Sequence, residues 1–314
     1  MAASQHVNVR IDLSKIRANA TDVRRRIGAV VALIAVVKAD AYGLGVDRVA
    51  PAIADLVDEF CVFNLQEAAE ARLHETTGKS IITLFPAPPS LDAGDYRRHR
   101  VRPVVIHAEG AARLRDAAPL LCVDTGMQRF ACPPGEAGAV LKPGHCRDAF
   151  THATKLEAVQ RLIEVAGGRG LRLHAAGTTL LDERRAHLDA VRPGLALYRG
   201  AVRVSTPLVE VREASGPAGY TGFTSPTGRH GVVLAGYAHG LRNGPCRVNG
   251  RPARVLEVGM QSAFVTCDRG DKPGDEVVLL GDGLTEDAVA ADWNGPPQLA
   301  LIQLAGSGVR TYVE

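Results

Sequence analysis

The sequence predicts an α/β protein in which a (β/α)8, TIM-like barrel is followed by a mainly β C-terminal domain. Over about the first two hundred residues, short apolar runs alternate with helical patterns, which is typical of right-handed βαβ units and a parallel sheet. Near residue 205 the composition changes, and Gly and Pro recur between short Val-rich runs, as in a β domain. We therefore expect a barrel domain at 8–204 and a β domain at 205–314.

The expected barrel strands are short runs rich in β-branched and other apolar residues. Nine candidate runs, for a barrel that needs eight strands, lie at 7–11, 30–37, 60–63, 81–85, 101–106, 120–124, 149–152, 171–176 and 194–198. Helices are expected at 15–27, 46–56, 66–73, 108–117, 133–141, 155–165 and 182–190, with Ser14 capping the first. An open, doubly wound sheet is the competing architecture. No GxGxxG follows the first strand, so a dinucleotide-binding fold is disfavoured.

The β domain is expected to contain six strands. They are predicted at 208–211, 231–235, 254–258, 263–267, 277–280 and 299–304. Few helical patterns occur in this part of the chain, and no tandem repeat interrupts it. These features favour a mainly β domain after the barrel.

Composition excludes several classes of protein. The 314 residues are 46% hydrophobic and 23% charged, with mean hydropathy +0.00, as in ordinary globular domains. A net charge of +3 with local arginine clusters indicates no nucleic-acid partner. No apolar stretch is long enough for a membrane helix, and the six cysteines lack CxxC or metal-ligand spacing. We expect a cytoplasmic enzyme with reduced thiols, no membrane association and no metal.

Lys38 directly follows the longest uninterrupted apolar run of the predicted barrel, at 30–37. The carboxyl ends of parallel barrel strands are where such folds build their active sites. A lysine amine partly withdrawn from water favours its neutral form, which can form Schiff bases. A lysine that merely ends a core strand is the alternative interpretation. Lysine is scarce in this chain, and no other lysine ends a long apolar run.

Further candidates follow the later predicted strands. Arg129 lies just after the strand at 120–124, and His152 ends the next one. Thr178 follows the strand at 171–176, and Arg192 precedes Pro193 and Gly194 near the last strand. Because all barrel strands end at one face, these side chains should converge with Lys38.

These segments resemble motifs of the alanine racemase family of pyridoxal-phosphate enzymes. The segment AVVKADAYGLG resembles the cofactor-lysine motif, and VDTGMQRF, FTHA, LHAAGTT and VRPGLALY resemble later barrel motifs in the same order. In the β domain, GYTG, AGYAHG and VGMQ match further motifs. The resemblance extends over nearly the whole chain. It implies a racemase that interconverts L- and D-amino acids by exchanging the Cα proton between two bases.

The resemblance implies pyridoxal 5'-phosphate as cofactor, held covalently by Lys38. Arg192 matches the arginine that bonds the pyridine nitrogen, and His152 matches a ring-stacking histidine. The residues that match contacts to the cofactor phosphate are Tyr42, Thr178, Gly194 and Leu195. Backbone amides and hydroxyls near the last strands are also the usual phosphate site of such barrels.

The same resemblance implies two catalytic bases, Lys38 on one face of the Cα and Tyr220 on the other. Tyr220 would come from the β domain of a second subunit, which implies a homodimer with shared active sites. Arg129, Met260 and Tyr237 match residues that contact the amino-acid substrate or line its channel. No metal is implied.

Several positions depart from the family pattern. Cys122 replaces a lysine, His239 replaces an aspartate, and Gly259 and Gln261 flank Met260 where Cys and Asp are usual. A second phosphate-binding tyrosine aligns with about Gly306. Two alternatives therefore stay open: a paralogue that binds the cofactor without catalysis, and a different pyridoxal-phosphate reaction such as decarboxylation.

Overall fold

The computed structural model describes residues 3–141 and 146–314. They form two compact units: a barrel unit of residues 17–41 and 45–197, and a C-terminal unit that combines residues up to 16 with 42–44 and 198–314. Within the described residues, no helix has both the length and the apolar character needed to cross a bilayer.

The first strand, β1 (Ser4–Asp12), covers the strand expected at 7–11. It pairs with two strands of the C-terminal unit and contributes nothing to the barrel. The expected start of the barrel domain at residue 8 is therefore wrong. Its burial alternates along the strand, which is typical of a sheet with one buried face rather than a barrel strand buried on both.

Eight parallel strands close the barrel in chain order. They are β2 (Ala32–Val36), β3 (Glu59–Val62), β4 (Ser80–Pro86), β5 (Val101–Val105), β6 (Leu120–Cys122), β7 (Asp148–Ala153), β8 (Arg172–Ala176) and β9 (Ala190–Val191). The predicted (β/α)8 barrel is confirmed. Strand β2 is shorter than the apolar run at 30–37, because Val30 is 97% exposed and lies outside it.

Helical segments connect these strands. They are α1 (Leu13–Ile27), α2 (Lys38–Gly43), α3 (Val46–Ile53), α4 (Leu65–Glu70), α5 (Leu73–Thr77), α6 (Ala93–Arg98), α7 (Ala108–Arg113), α8 (Ala137–Val140), α9 (Leu156–Ala166) and α10 (Leu195–Tyr198). The strand expected at 194–198 is wrong, since α10 occupies it and β9 closes the barrel. The helix expected at 182–190 is reduced to a 3-10 turn at Arg184–Ala186.

The first helix is capped by Asp12 rather than by the expected Ser14. The Asp12 carboxylate accepts a hydrogen bond from the Lys15 backbone N–H at 2.8 Å. Ser14 donates its hydroxyl to the same carboxylate oxygen at 2.6 Å. An aspartate side chain that satisfies a free N–H of the first turn is a standard N-cap, so the helix begins two residues earlier than predicted.

The amino end of the barrel is filled by a cluster of ion pairs from strand starts. Arg102 contacts Asp148 at 2.6 Å, and Arg172 contacts both Asp148, at 2.9 Å, and Glu59. Above this cluster, His174 is fully buried and stacks on Phe150, with ring centroids 5.1 Å apart. Paired charges and close-packed rings occupy this end, and a functional site is expected at the carboxyl ends of the strands, as in other barrels of this type.

The C-terminal unit is an eight-stranded sheet. Besides β1 it contains β10 (Val202–Glu213), β11 (Arg229–Val233), β12 (Gly244–Val248), β13 (Arg251–Val258), β14 (Ala263–Thr266), β15 (Glu276–Leu280) and β16 (Gly308–Val313). The order is β11-β14-β13-β12-β15-β10-β1-β16, and β11 also pairs with β10. Six strands thus form a closed antiparallel ring, and β1 lies between β10 and β16. The predicted mainly β C-terminal region is confirmed.

Two helices follow the ring, α11 (Glu286–Asp292) and α12 (Pro297–Ala305). The strand expected at 299–304 is therefore wrong. Pro297 stands in the first helical turn, where its missing N–H is not needed, and Leu, Ala and Gln are good helix formers. The segment is apolar enough that no polar face marks its helical period.

Candidate active site

Lys38 lies half-buried directly after β2, at the start of a left-handed helical turn, α2. Residues 39–42 have φ of +53°, +55°, +51° and +61°, and φ of Gly43 is +83°. Left-handed backbone costs about 1–2 kcal/mol for each residue other than glycine. Consecutive residues of this kind persist only where the surroundings hold them, and such strain is concentrated at functional sites.

A carboxylate that the sequence analysis missed holds this turn in place. Glu67, in α4, accepts hydrogen bonds from the backbone N–H of Ala39 at 3.1 Å and of Phe63 at 2.8 Å. Asp40 accepts from the Val46 N–H at 2.8 Å and so closes the other end. The strained backbone that follows Lys38 is therefore fixed from both sides. An N-x-x-E start to α4, Asn64 to Glu67, was the only signal in the sequence.

Arg192 follows β9 and is 5% exposed. Its guanidinium donates to the Thr151 carbonyl and lies over the Phe150 ring, 4.7 Å from the centroid. Within the described residues, the buried Nε–H has no hydrogen-bond partner. Burial lowers the pKa of Arg192, although a guanidinium remains a donor and never an acceptor. An unpaired buried donor of this kind is costly and suits a ligand that brings an acceptor.

His152 ends β7 and keeps part of its ring exposed to solvent. Crowding by protein atoms, followed by the positive charges of Arg192, Arg129 and Lys38, lowers the pKa of His152 to about 4. At neutral pH the ring is therefore uncharged and can stack against another flat ring. These electrostatic effects also indicate that the structure brings the four predicted residues into one region of the barrel unit.

The predicted phosphate contacts occupy the last turns of the barrel. The Thr178 hydroxyl accepts hydrogen bonds from the backbone N–H groups of Gly194, at 3.3 Å, and Ala196, at 3.1 Å. Its own proton is then free to be donated to an anion. Leu195 is buried at the start of α10. Three of the four predicted phosphate residues thus lie within one hydrogen-bonded turn.

Tyr42, the fourth, groups with the C-terminal unit. Its buried ring packs against the Tyr198 ring, with centroids 5.0 Å apart. The Tyr312 hydroxyl donates to the Leu44 carbonyl at 2.9 Å and so ties β16 to the segment that carries Tyr42. Gly306 ends α12.

Arg129 is exposed, and its guanidinium lies 5.9 Å from the centroid of the Phe130 ring. Burial raises the pKa of Cys122 to about 12. The Cys122 thiol is therefore neutral and gives the Arg129 guanidinium no negatively charged partner. The turn before Arg129 is instead held by Asp124, whose carboxylate accepts from the N–H groups of Gly126 and Gln128 at 2.8 and 3.1 Å.

An open cavity of about 570 Å³ adjoins His152 in the barrel unit. Its volume is in the range of small-molecule sites. The side chains that line it include both charges and apolar groups: Thr125, Gly126, Met127, His152, Thr154, Lys155, Glu157, Ala158 and Arg161. Among the described residues, no group of three or more His, Cys, Asp or Glu side chains could hold a metal ion.

The C-terminal unit carries the other predicted residues as an exposed cluster, which we call the tyrosine cluster: Tyr220, Tyr237 and Met260. Tyr220 is 93% exposed. The Tyr237 N–H donates to the Gly259 carbonyl at 2.9 Å, and the Ala238 N–H donates to the Met260 carbonyl at 3.0 Å. A Cβ on Gly259 would lie 3.7 Å from the Tyr220 ring. The three predicted residues therefore share one surface.

The unusual His239 has a local structural role beside this cluster. Its Nδ1 accepts a hydrogen bond from the Gly236 N–H at 3.0 Å, so the neutral ring carries its proton on Nε2. This bond closes the 3-10 turn Tyr237–His239. The substitution of the family aspartate thus leaves the turn that presents Tyr237 intact.

Comparison with known proteins identifies the family of this chain. A family model described as the N-terminal domain of alanine racemase matches residues 11–152. The alanine racemase of Mannheimia succiniciproducens is 32% identical over 308 residues, which cover 82% of this chain and 85% of the relative. That of Pectobacterium atrosepticum is 30% identical over 333 residues, covering 90% and 92%. The chain belongs to the alanine racemase family.

Solved structures of alanine racemases share the fold of this family member. The biosynthetic enzyme of Pseudomonas aeruginosa superposes with TM-score 0.85 at 24% identity, covering 99% of this chain and 100% of that chain. The enzyme of Bartonella henselae, with covalently bound pyridoxal phosphate, superposes with TM-score 0.84 at 22% identity, covering 99% and 100%. The predicted family and fold class are confirmed, and with them the assignment to the pyridoxal-phosphate-dependent racemases, which are isomerases.

Proposed function

We propose that this protein interconverts the L and D forms of a small amino acid, alanine among them, with pyridoxal 5'-phosphate bound covalently to Lys38. The observation that carries the proposal is the left-handed turn that begins at Lys38 and is held by Glu67. Backbone strain of this size at the end of a barrel strand serves to fix one side chain. Relatives named alanine racemase support the choice of substrate.

The residues present fit this cofactor. The unpaired Nε–H of Arg192 suits an acceptor such as a pyridine nitrogen, and the neutral His152 suits ring stacking. The hydroxyl of Thr178, with the turn of Gly194 and Leu195, would hold the phosphate together with Tyr42. When bound, the cofactor withdraws electrons from the substrate and acidifies its Cα proton.

Two side chains would then move that proton. The Lys38 amine would remove or return it on one face of the Cα, and the Tyr220 phenolate would do so on the other. A free tyrosine phenol ionises only near pH 10, so the base needs nearby cations to act at neutral pH. Arg129 would orient the substrate carboxylate together with the Met260 backbone, and Tyr237 would line the channel.

We further infer a homodimer in which each active site uses the barrel unit of one chain and the tyrosine cluster of the other. Exposed aromatic side chains that cluster on a surface mark an interaction site more often than an isolated one does. In this arrangement the barrel unit is the cofactor-binding part, and the C-terminal unit completes the active site of the partner. Six buried cysteines without a disulfide support a reducing compartment such as the cytoplasm.

Chemical trapping of the cofactor tests the proposal. Borohydride reduction followed by peptide mapping should label Lys38, because reduction makes the link between cofactor and lysine permanent. Lys155, on the wall of the cavity beside His152, is a matched control, so Lys155→Ala should still be labelled and Lys38→Ala should not. A label on Lys155, or no label at all, contradicts the proposal. A labelled protein that racemises no amino acid would be a binding paralogue instead.

A further inference from the structure

The backbone of the turn that carries Tyr220 is held by one buried carboxylate. Glu257, in β13, is 5% exposed. One of its oxygens accepts the Tyr220 N–H at 2.8 Å, and the other accepts the Thr221 N–H at 2.7 Å and the Thr221 hydroxyl. Hydrogen bonds to an ionised acceptor are the strong ones. Three of them from two consecutive residues fix the position and direction of the turn.

The local backbone is shaped to admit this carboxylate. Gly219, the residue before Tyr220, has φ +70°, and a Cβ at this position would overlap the Glu257 carboxylate. The register between β13 and β14 also shifts between Val255 and Glu257. A bulge of this kind re-aims the side chain that follows it. Both the turn, through Gly219, and strand β13, through its register shift, thus allow Glu257 to approach the turn closely.

By contrast, the Tyr220 side chain is almost free of protein contacts. It is 93% exposed, and its ring edge lies near Gly259, which has no side chain to hold it. The direction in which the phenol projects is therefore set by the turn backbone. That backbone is set by Glu257.

We infer that Glu257 is a positioning residue for Tyr220: it fixes the turn from which the phenol reaches the substrate, without touching substrate or cofactor itself. This inference rests on the proposed function, in which Tyr220 is the second base. The carboxylate is occupied by three donors and is 5% exposed, so it is not available as a base. Hydrogen bonds from the Thr221 hydroxyl and then from the Tyr220 N–H lower the pKa of Glu257, which keeps it ionised at neutral pH.

Glu257→Gln tests this role because an amide of the same shape offers only one acceptor oxygen. Its NH2 group would face a donor of the turn. Displacement of a reacting group by about 1 Å costs roughly 100-fold in rate, so racemisation should fall about 10- to 100-fold. Because the two enantiomers are equal in energy, kcat/KM must fall equally in both directions. Racemisation alone therefore does not reveal which base has moved.

Exchange of the Cα hydrogen with D2O does reveal it. The enantiomer whose Cα hydrogen faces Lys38 should still exchange in Glu257→Gln within about twofold of the wild-type rate, since Lys38 supplies that proton path alone. The opposite enantiomer should lose exchange together with racemisation. Glu257→Asp should recover part of the lost rate, because it restores both acceptor oxygens. Glu213→Gln is the control, since this exposed carboxylate pairs with Arg229 at 2.7 Å rather than with the backbone of the turn.

The outcomes separate the inference from the proposed function. Equal loss of both exchange reactions in Glu257→Gln would overturn the positioning role, as would unchanged racemisation in a background where Tyr220→Phe is inactive. Full racemisation by Tyr220→Phe would instead overturn the proposed second base, and the positioning role with it. If Glu257→Gln does not fold, Thr221→Val removes one of the same hydrogen bonds. It should lower racemisation by about threefold to tenfold with the same one-sided loss of exchange.

Discussion

The two units of this protein present their predicted site residues in opposite ways. In the barrel unit, Arg192 is 5% exposed and the turn after Lys38 is strained and hydrogen-bonded. In the C-terminal unit, Tyr220 is 93% exposed, and only its backbone is held. Electrostatic control of a cofactor requires groups fixed away from water. The barrel unit has this property within one chain. In the proposed homodimer, the partner's barrel unit would provide it for the tyrosine cluster.

The strongest test of this contrast mixes two inactive variants. Lys38→Ala removes the proposed base of the barrel unit and Tyr220→Phe removes the proposed base of the tyrosine cluster, and each variant alone should be inactive. Subunit exchange should restore up to about a quarter of wild-type activity, because half of the dimers are mixed and each mixed dimer has one intact site of two. Activity assays after exchange, with mass spectrometry to prove it, check this result.

No recovery despite proven exchange would place both bases on one chain or remove Tyr220 from the reaction. A variant with both substitutions is the matched control. In a mixed dimer of this double variant and wild type, each shared site lacks either Lys38 or Tyr220. Such a mixed dimer should therefore be inactive.

Substrate choice should be loose, because small residues occupy two positions that we expect to line the mouth of the substrate pocket. Gly259 and Gly306 stand where the family carries larger side chains. A methylene in an apolar pocket changes discrimination by only about 1–3 kcal/mol, so serine or a longer amino acid should be racemised within about tenfold of alanine. Measured kcat/KM values decide this, and a preference for alanine above roughly a thousandfold would contradict it.

Gly259→Ser should narrow that range, since its Cβ would contact the Tyr220 ring at 3.7 Å and the Ser262 carbonyl at 3.3 Å. Gly270→Ala provides the control, because a Cβ there meets open space. Comparison of kcat/KM for alanine and a longer amino acid in the two variants separates loss of pocket space from a general effect of substitution.

The buried barrel core should be sensitive to acid. Burial, then the charges of Arg192, Arg172 and Arg102, lower the pKa of His174 well below 6.5. The folded state therefore binds a proton at His174 less readily than the unfolded state does. The contribution of this residue to the free energy of unfolding is fully present above pH 6.5 and is lost as the pH falls below that value. Linkage gives a loss of about 1.4 kcal/mol between pH 7.5 and 5.5 from this residue.

Denaturation of wild type and His174→Leu at both pH values checks the sign. The variant should lose about 1.4 kcal/mol less than wild type on acidification. His107→Ala is the matched control, because it removes an exposed histidine outside the barrel core. An identical acid response of wild type and His174→Leu would show that the folded barrel accommodates the proton.

The smallest expected effect concerns the start of α1, in the C-terminal unit. Asp12→Ala should lower the free energy of unfolding by about 1 kcal/mol, the usual cost of an N-cap. Ser14→Ala should cost less, since Ser14 only supports the cap. Urea denaturation of both variants measures the two losses. A larger loss for Ser14→Ala than for Asp12→Ala would show that Ser14 is the more important N-cap, as expected from the sequence.

The barrel was predictable because buried parallel strands read as continuous apolar runs. The position of β1 was predicted wrongly, because its alternating pattern indicated a strand but did not indicate which strands it pairs with. β9 has only two residues, too few for any periodicity. At 299–304, an apolar helix produced the same pattern as a buried strand.

In the site, chemical groups at strand ends were predictable, whereas their supports were not. Lys38 follows an apolar run, and that position alone indicates a barrel site, whereas the role of Arg192 came from the resemblance of its segment to a family motif. Glu67 and Glu257 act on backbone N–H groups of residues 28 and 37 positions earlier in the chain. Backbone donors are the same for every residue type, so no pattern in the sequence marks such long-range contacts.

The place of β1 between β10 and β16 has a consequence for synthesis of the chain. The first strand can pair fully only with strands that begin about 190 and 300 residues later. At roughly 5–20 residues per second, a ribosome needs about 15–60 s to deliver the last of them. During that time the apolar face of β1 has no native cover, while the barrel can already close. We expect nascent chains arrested before β16 to expose this strand to chaperones, and release of the completed chain to bury it.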